Sequence, residues 1–159
     1  MPKSKKQTKL SKRQNDIEEQ KVQIRSQLKQ LGEKIYSDLN SQRFPTIHFP
    51  SRSVRNIVYD KKTKQYILGS KTVTRTASNI KQIRSVTQLT WLAFFANELM
   101  SNKKSSTLRD VYYSSQAYAV DYTDQPESDS IITDLESVIS TARERLNIYP
   151  EERSAIFGD

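Results

Sequence analysis

The sequence has 159 residues, 35% hydrophobic and 28% charged, with a formal net charge of +8, which leaves room for one ordinary domain plus an appendage. It contains no cysteine, a single histidine (His48) and three widely spaced glycines (Gly32, Gly69, Gly158), so disulfides, thiolate metal sites and a glycine-rich phosphate cradle are excluded. The longest apolar run, Trp91 to Ala96, is far too short for a membrane span.

Residues 1–13 carry six basic and no acidic side chains and almost no apolar content, so a disordered basic arm is predicted there. Within 14–42, Val22, Ile24, Leu28, Leu31, Ile35 and Leu39 recur mostly at three- and four-residue steps, which predicts an amphipathic helix. Gly32 weakens it by about 1 kcal/mol relative to alanine. The stripe serves equally well for packing on its own domain or for docking another protein chain. Phe44 to Pro50, with two prolines, reads as an extended connector, and Ser51 as the cap of a short turn through Asn56. Ile57 to Asp60 and Gln65 to Gly69, separated by Lys61-Lys62-Thr63-Lys64, read as a β-hairpin, with Lys71 to Thr76 extending it as a third strand.

Ser78 is the expected N-cap of a long helix, Asn79 to Met100, whose core stripe is Ile80, Ile83, Leu89, Leu92, Ala93, Ala96 and Leu99. A polar turn leads to a helix over Thr107–Tyr118. A loop around Asp121–Pro126 then leads to a third helix, about Ser128–Ile139, and to an extended Asn147–Pro150. Helix, turn, helix, loop, helix and a strand-like wing is the order of a winged helix-turn-helix. The predicted fold class is therefore mainly α with small β elements, α+β, in a winged-helix domain over 43–148.

Charge is distributed unevenly. Residues 43–113 hold thirteen basic and three acidic side chains, whereas residues 114–159 hold three basic and ten acidic ones. A basic middle carried on a folded domain is the electrostatic footprint of a polyanion binder; a well-solvated basic face is the plainer reading. The stretch Thr107 to Ser114 is the richest chemically. On a helix, Leu108, Val111, Tyr112, Ser115 and Ala119 share an apolar side, and Arg109, Tyr113 and Gln116 share a polar one. Spacing therefore separates the adjacent tyrosines, Tyr112 inward and Tyr113 outward. By itself an exposed tyrosine near an arginine is more often a surface stacking pair than a nucleophile.

Five motifs stand in order: Phe49-Pro50-Ser51-Arg52-Ser53-Val54-Arg55-Asn56-Ile57, Tyr59-Asp60, Thr107-Leu108-Arg109-Asp110-Val111-Tyr112-Tyr113, Asp124-Gln125-Pro126-Glu127-Ser128-Asp129, and Pro150-Glu151-Glu152-Arg153-Ser154-Ala155-Ile156-Phe157-Gly158-Asp159. From about Gln42 onward the chain closely resembles the DNA-cleaving A subunit of the topoisomerase VI family, which also includes the meiotic double-strand-break proteins. The resemblance implies a catabolite-activator-like winged helix in which Tyr113 attacks a DNA phosphodiester and stays joined to the 5′ end. It implies Arg109 and Arg52 as phosphate-contacting groups, suited by forked donors that match phosphate oxygens. Arg55 and Asn56 share the Arg52 motif and count among the expected DNA-binding residues without a definite role. Gln125 is the other, at the start of a helix that either faces the groove or is simply a capping cluster.

The same resemblance implies partners and cofactors: duplex DNA, an ATP-binding B subunit docked through residues 14–42, and a second copy of the DNA-cleaving subunit in an A2B2 complex, located in the cytoplasm with the nucleoid and away from membranes. Magnesium is expected from a Toprim domain following a linker at 149–159, and ATP from the B subunit, with no metal site in this chain. Asp121, Asp124, Glu127 and Asp129 stand in a helix-cap context, which argues against a two-metal clamp. The alternatives are a winged-helix DNA-binding module without cleavage, or a fragment that captures the ATP-binding partner.

Overall fold

A computed structural model describes residues 3–151, with side chains described from Gln14 onward. The elements are α1 (Lys3–Asn40), β1 (Thr46–Pro50), β2 (Ile57–Asp60), β3 (Gln65–Leu68), β4 (Thr72–Thr76), α2 (Ile80–Ser101), β5 (Ser106–Thr107), α3 (Leu108–Gln116), α4 (Gln125–Val138) and β6 (Ile148–Tyr149). Two short 3-10 turns, Val54–Asn56 and Arg143–Leu146, complete them. This is the α+β class expected, mainly helical with small sheets. Residues 152–159, most of the expected linker, lie outside the described residues.

α1 starts at Lys3, so the stretch expected as a disordered arm is helical from that residue. The reason is local: the segment is rich in lysine, glutamine and arginine, good helix formers, and no glycine interrupts it before Gly32. Farther along, Ile24, Leu28, Leu31 and Ile35 are buried with α2 in the main core, whereas Val22 and Leu39 are exposed. The stripe offered as a docking surface for an ATP-binding partner is thus spent on the chain's own α2. The groove along this contact is lined by Leu28, Leu31 and Ile35 from one side and Thr90, Ala93 and Phe94 from the other.

α2 is the central element, touching α1, β4 and α4. Its cap is Asn79, whose side chain accepts from the Lys81 N–H, rather than Ser78. Leu89, Leu92, Ala93, Ala96 and Leu99 are buried as expected, but Ile80 and Ile83 are exposed. Ile83 is in phase with the buried Val86, so the discrepancy is one of reach. Periodicity identifies the face of a helix, not where along it the neighbouring elements stop.

β2 and β3 form the expected hairpin, Ile57 opposite Leu68 and Asp60 opposite Gln65. Its turn is closed by Asp60, which accepts from the Lys62 N–H at 2.9 Å and the Thr63 hydroxyl at 2.8 Å, with Lys64 left-handed at φ 54°. The segment Lys71–Thr76 does not extend this hairpin. β4 turns away and pairs antiparallel with β1, Thr46 opposite Thr76 and Pro50 opposite Thr72, and the stretch expected as a connector is thereby a strand. Ile47 and Phe49 alternate inward from β1, which lies on α4.

α4 starts at Gln125, three residues earlier than predicted, because Asp124 is the cap and accepts from the Glu127 N–H, with Pro126 in the first turn. Past α4, Asn147 adopts φ 62° and ends the second 3-10 turn. β6 then runs parallel to β5 instead of folding back as a hairpin wing. The described hairpin precedes α2, α3 and α4 rather than following them.

Candidate functional site

α3 is short, nine residues, and its start is held from three directions. Thr107 and Asp110 form a capping box: the Thr107 hydroxyl accepts from the Asp110 N–H at 3.1 Å and Asp110 accepts from the Thr107 N–H at 3.3 Å. β6 pairs beside Thr107 through Tyr149, and the Ser106 N–H donates to the Asn147 carbonyl at 2.9 Å. From α4, the Gln125 amide donates to the Leu108 carbonyl at 3.1 Å and to Asp129 at 2.9 Å. The loop after α3 is pinned by α2: Arg84 donates to the Asp121 carbonyl, Thr123 and Glu127, and Gln88 donates to Asp121 and Glu127. Burial opposes the Glu127 charge, but the Thr123 N–H together with Gln88 and Arg84 holds its carboxyl below the ordinary range. Arg84 and Gln88 carry no local sequence signal for this role, since the partners they hold here are 33 to 43 residues away.

Three tyrosines lie in a row of decreasing burial. Tyr122 is buried, and burial together with the Glu127 charge pushes its phenol above the ordinary value. Tyr112 is half-buried against the core, its ring centroid 6.4 Å from that of Tyr122. Tyr113 meets the Tyr112 ring edge-on at 5.3 Å and is 58% exposed. Of the pair on α3, only Tyr113 is open to a ligand, because consecutive helical residues point about 100° apart.

Arg109, one turn before Tyr113, is paired with Glu151, Nε to Oε1 at 3.1 Å, with its side chain largely in solvent. The two face a cavity of about 250 Å³ shared with Leu108, Gln125, Asp129 and Pro150. An exposed pair of this kind is held only weakly, so Glu151 can be exchanged at low cost. The sequence did not single out Glu151 as its partner. Gln125 is half-buried, and both of its amide N–H groups are used between α3 and α4. The capping contacts of this corner are present, with Asp124 accepting from the Glu127 N–H.

Arg52 folds back onto α4, donating to the Thr133 carbonyl at 3.1 Å with Glu136 at 3.8 Å, and keeps about half its surface exposed. Arg55 is exposed. Asn56 requires a correction. It is 2% exposed, its amide donates to the carbonyls of Ser51, Gly69 and Lys71, and its Oδ1 accepts from the Lys71 N–H at 3.0 Å. This is the knot that turns the chain from the hairpin into β4, and it leaves no side-chain donor for DNA. Gly69 is needed beside it, since a Cβ there would come within 2.8 Å of Asn56 Oδ1 and 3.0 Å of its carbonyl oxygen. Asn56→Ala strands several buried backbone groups and is expected to cost about 1–3 kcal/mol in urea denaturation. DNA affinity of the folded variant should stay unchanged.

Among the described residues no three histidine, cysteine, aspartate or glutamate side chains gather as a metal site. No helix among the described residues is long and apolar enough to cross a membrane.

Residues 84–148, which include α3 and α4, match the family model described as Type IIB DNA topoisomerase. The chain is 40% identical over 130 residues to the A subunit of Type 2 DNA topoisomerase 6 from Methanothermobacter thermautotrophicus, covering 82% of this chain and 37% of that protein. The same-named proteins of Methanosarcina barkeri and Archaeoglobus fulgidus are 34% and 32% identical, over 84% and 77% of this chain and 37% and 34% of their own lengths. The chain thus spans a little over a third of the relatives it matches.

Proposed function

The chain belongs to the type IIB DNA topoisomerases, as a stretch of their A subunit, and from that membership we propose that it is the tyrosine-bearing, DNA-binding and DNA-cleaving part of such a protein, built on a winged-helix plan. The observation that carries the reading is α3: a capped, clamped helix that turns Tyr113 outward and Tyr112 inward, inside the segment the family model matches. In this reading the Tyr113 oxygen forms a bond to phosphorus and the 3′ oxygen leaves, taking up a proton as a hydroxyl. The 5′ phosphate stays on tyrosine. The bond count is unchanged, so rejoining is the reverse transfer and needs no energy input of its own. Arg109 and Arg52 would hold phosphate oxygens beside the reacting one. Magnesium held elsewhere in the complete protein would stabilise charge at phosphorus, and ATP would belong to a partner subunit in an A2B2 assembly acting at the nucleoid.

DNA binding is the part this chain tests directly. With about five phosphates engaged, log affinity for a mixed-sequence duplex is expected to fall against log salt with a slope near −4 to −5, as followed by fluorescence anisotropy. Affinity that ignores salt would contradict the proposal.

A further inference from the structure

Most of the basic middle's arginines are not free. Among the described residues Arg43 pairs with Asp38, Arg52 with Glu136, Arg75 with Asp134, Arg84 with Glu127 and Arg109 with Glu151. Burial still raises the Asp134 carboxyl above its ordinary range, Arg75 only partly offsetting it. The acidic last third of the chain thus neutralises arginines of the middle through tertiary contacts. The basic residues of 43–113 with no salt bridge among the described residues are Arg55, Lys61, Lys62, Lys64, Lys71, Lys81, Lys103 and Lys104, and five of them lie on or beside the β2–β3 hairpin.

We infer that this hairpin is a wing that meets duplex DNA, its turn lysines Lys61, Lys62 and Lys64 on the phosphates and the Tyr59–Tyr66 pair against the groove wall. The inference rests on the DNA-binding reading above and adds a contact surface to it.

Three observations support it beyond charge. First, the hairpin stands clear of the core: Ile57, Val58, Tyr59, Tyr66, Ile67 and Leu68 are all exposed, on both faces. An isolated two-stranded hairpin is marginal in water, and here the Asn56–Gly69–Lys71 knot holds its base in place. Second, the only acid on it, Asp60, is consumed by the turn's own N–H and hydroxyl groups, so the lysines keep their charge for an outside partner. Third, the hairpin base and the tyrosine helix share one support. Arg52 is bonded to α4 at Thr133 and α3 is bonded to α4 at Gln125. Those anchor points are eight residues apart, about 12 Å along a helix, well inside one duplex turn of about 34 Å.

A protein partner fits less well, because interface centres are depleted in lysine, and here lysines form the tip. Compact, hydrated ammonium groups suit sequence-independent phosphate contact. The tyrosine rings meet edge to face at 5.3 Å and present apolar bodies with polar tips, as groove-contacting side chains do.

The test compares the 159-residue chain with K61Q/K62Q/K64Q and, as a control of the same kind, K103Q/K104Q, on a labelled mixed-sequence duplex across a salt series. These exposed substitutions leave the thermal transition in place, which circular dichroism verifies. The hairpin variant is expected to lose about 2–3 from the magnitude of the salt slope and to bind roughly ten- to a hundredfold more weakly at 0.1 M salt, whereas the control loses less than about 1 from the slope. Tyr66→Ala should weaken binding severalfold with the slope unchanged. A hairpin variant with the parent's slope and affinity overturns the wing while leaving DNA binding intact. A hairpin variant that still binds DNA but no longer binds a purified ATP-binding partner also overturns it and assigns the hairpin to a protein. Failure of the parent chain to bind any duplex overturns the DNA-binding reading itself, and the wing with it.

Discussion

Tyr113→Phe is expected to eliminate the covalent protein–DNA adduct when the chain acts within a complete DNA-cleaving subunit together with its ATP-binding partner. The substitution removes one oxygen, the one proposed to bond phosphorus. Tyr113 is more than half exposed, and no hydrogen bond within the described residues involves its hydroxyl, so stability should change by less than about 0.5 kcal/mol. DNA affinity should hold as well, because the proposed phosphate contacts come from arginine and lysine. Tyr112→Phe is the informative partner. Its ring packs between Tyr113 and Tyr122, and phenylalanine fills the same space, so the adduct should persist. Arg109→Ala should lower cleavage by roughly a hundredfold, the usual loss for a single group that stabilises developing charge, with a smaller effect on binding. The measurement is denaturing electrophoresis of trapped complexes. An adduct that survives Tyr113→Phe and vanishes with Tyr112→Phe would reverse the assignment of inward and outward faces on α3.

Leu28→Asp is expected to unfold the domain rather than to disturb a docking surface. Leu28 is 4% exposed and sits with Ile24, Leu31 and Ile35 in the same core as α2. A carboxylate there loses the burial of a leucine and has no cation built to receive it, which together cost roughly 3–5 kcal/mol. That is a large share of the roughly 5–15 kcal/mol by which domains are typically stable. The readout is the thermal or urea transition of the whole chain, with Leu39→Asp as the comparison. Leu39 is on the same helix but exposed, and should change stability by less than about 0.5 kcal/mol. If Leu28→Asp kept the parent's transition and only abolished co-purification with an ATP-binding partner, the stripe would be a docking surface after all. If Leu39→Asp alone had that effect, the exposed end of α1 would be the docking surface instead.

Much of the architecture follows from short-range rules. The β2–β3 hairpin was legible because two short β-branched and aromatic runs and the polar turn of four between them lie within about a dozen residues. The existence of α3 was legible for the same reason, since its apolar and polar sides follow from residues within one turn of each other. The opposite orientations of Tyr112 and Tyr113 needed only the helical angle between neighbours. The helix over residues 3–13 belongs to this level too, since helix propensity alone favours it.

Other features were decided by groups far apart in the sequence. β4 pairs with β1 rather than with the hairpin because Asn56 captures the backbone of Gly69 and Lys71, 13 and 15 residues on. An asparagine in a Ser-Arg-Ser-Val-Arg-Asn run reads equally well as a surface contact, and only its burial distinguishes the two. The α1 stripe has one pattern for two outcomes, self-packing or docking, and the presence of α2 against it made the choice. The arginines show the same limit. Counting charges along the chain marked 43–113 as basic. The fold then spent Arg52, Arg75, Arg84 and Arg109 on carboxylates 42 to 84 residues away, so that among the described residues the hairpin's lysines are among the cations of this segment without a salt bridge. Periodicity and capping are set by neighbours within a turn or two, so sequence determines them alone. Which charge meets which, and which apolar face is covered, depends on elements meeting in space, and only the tertiary structure decided that.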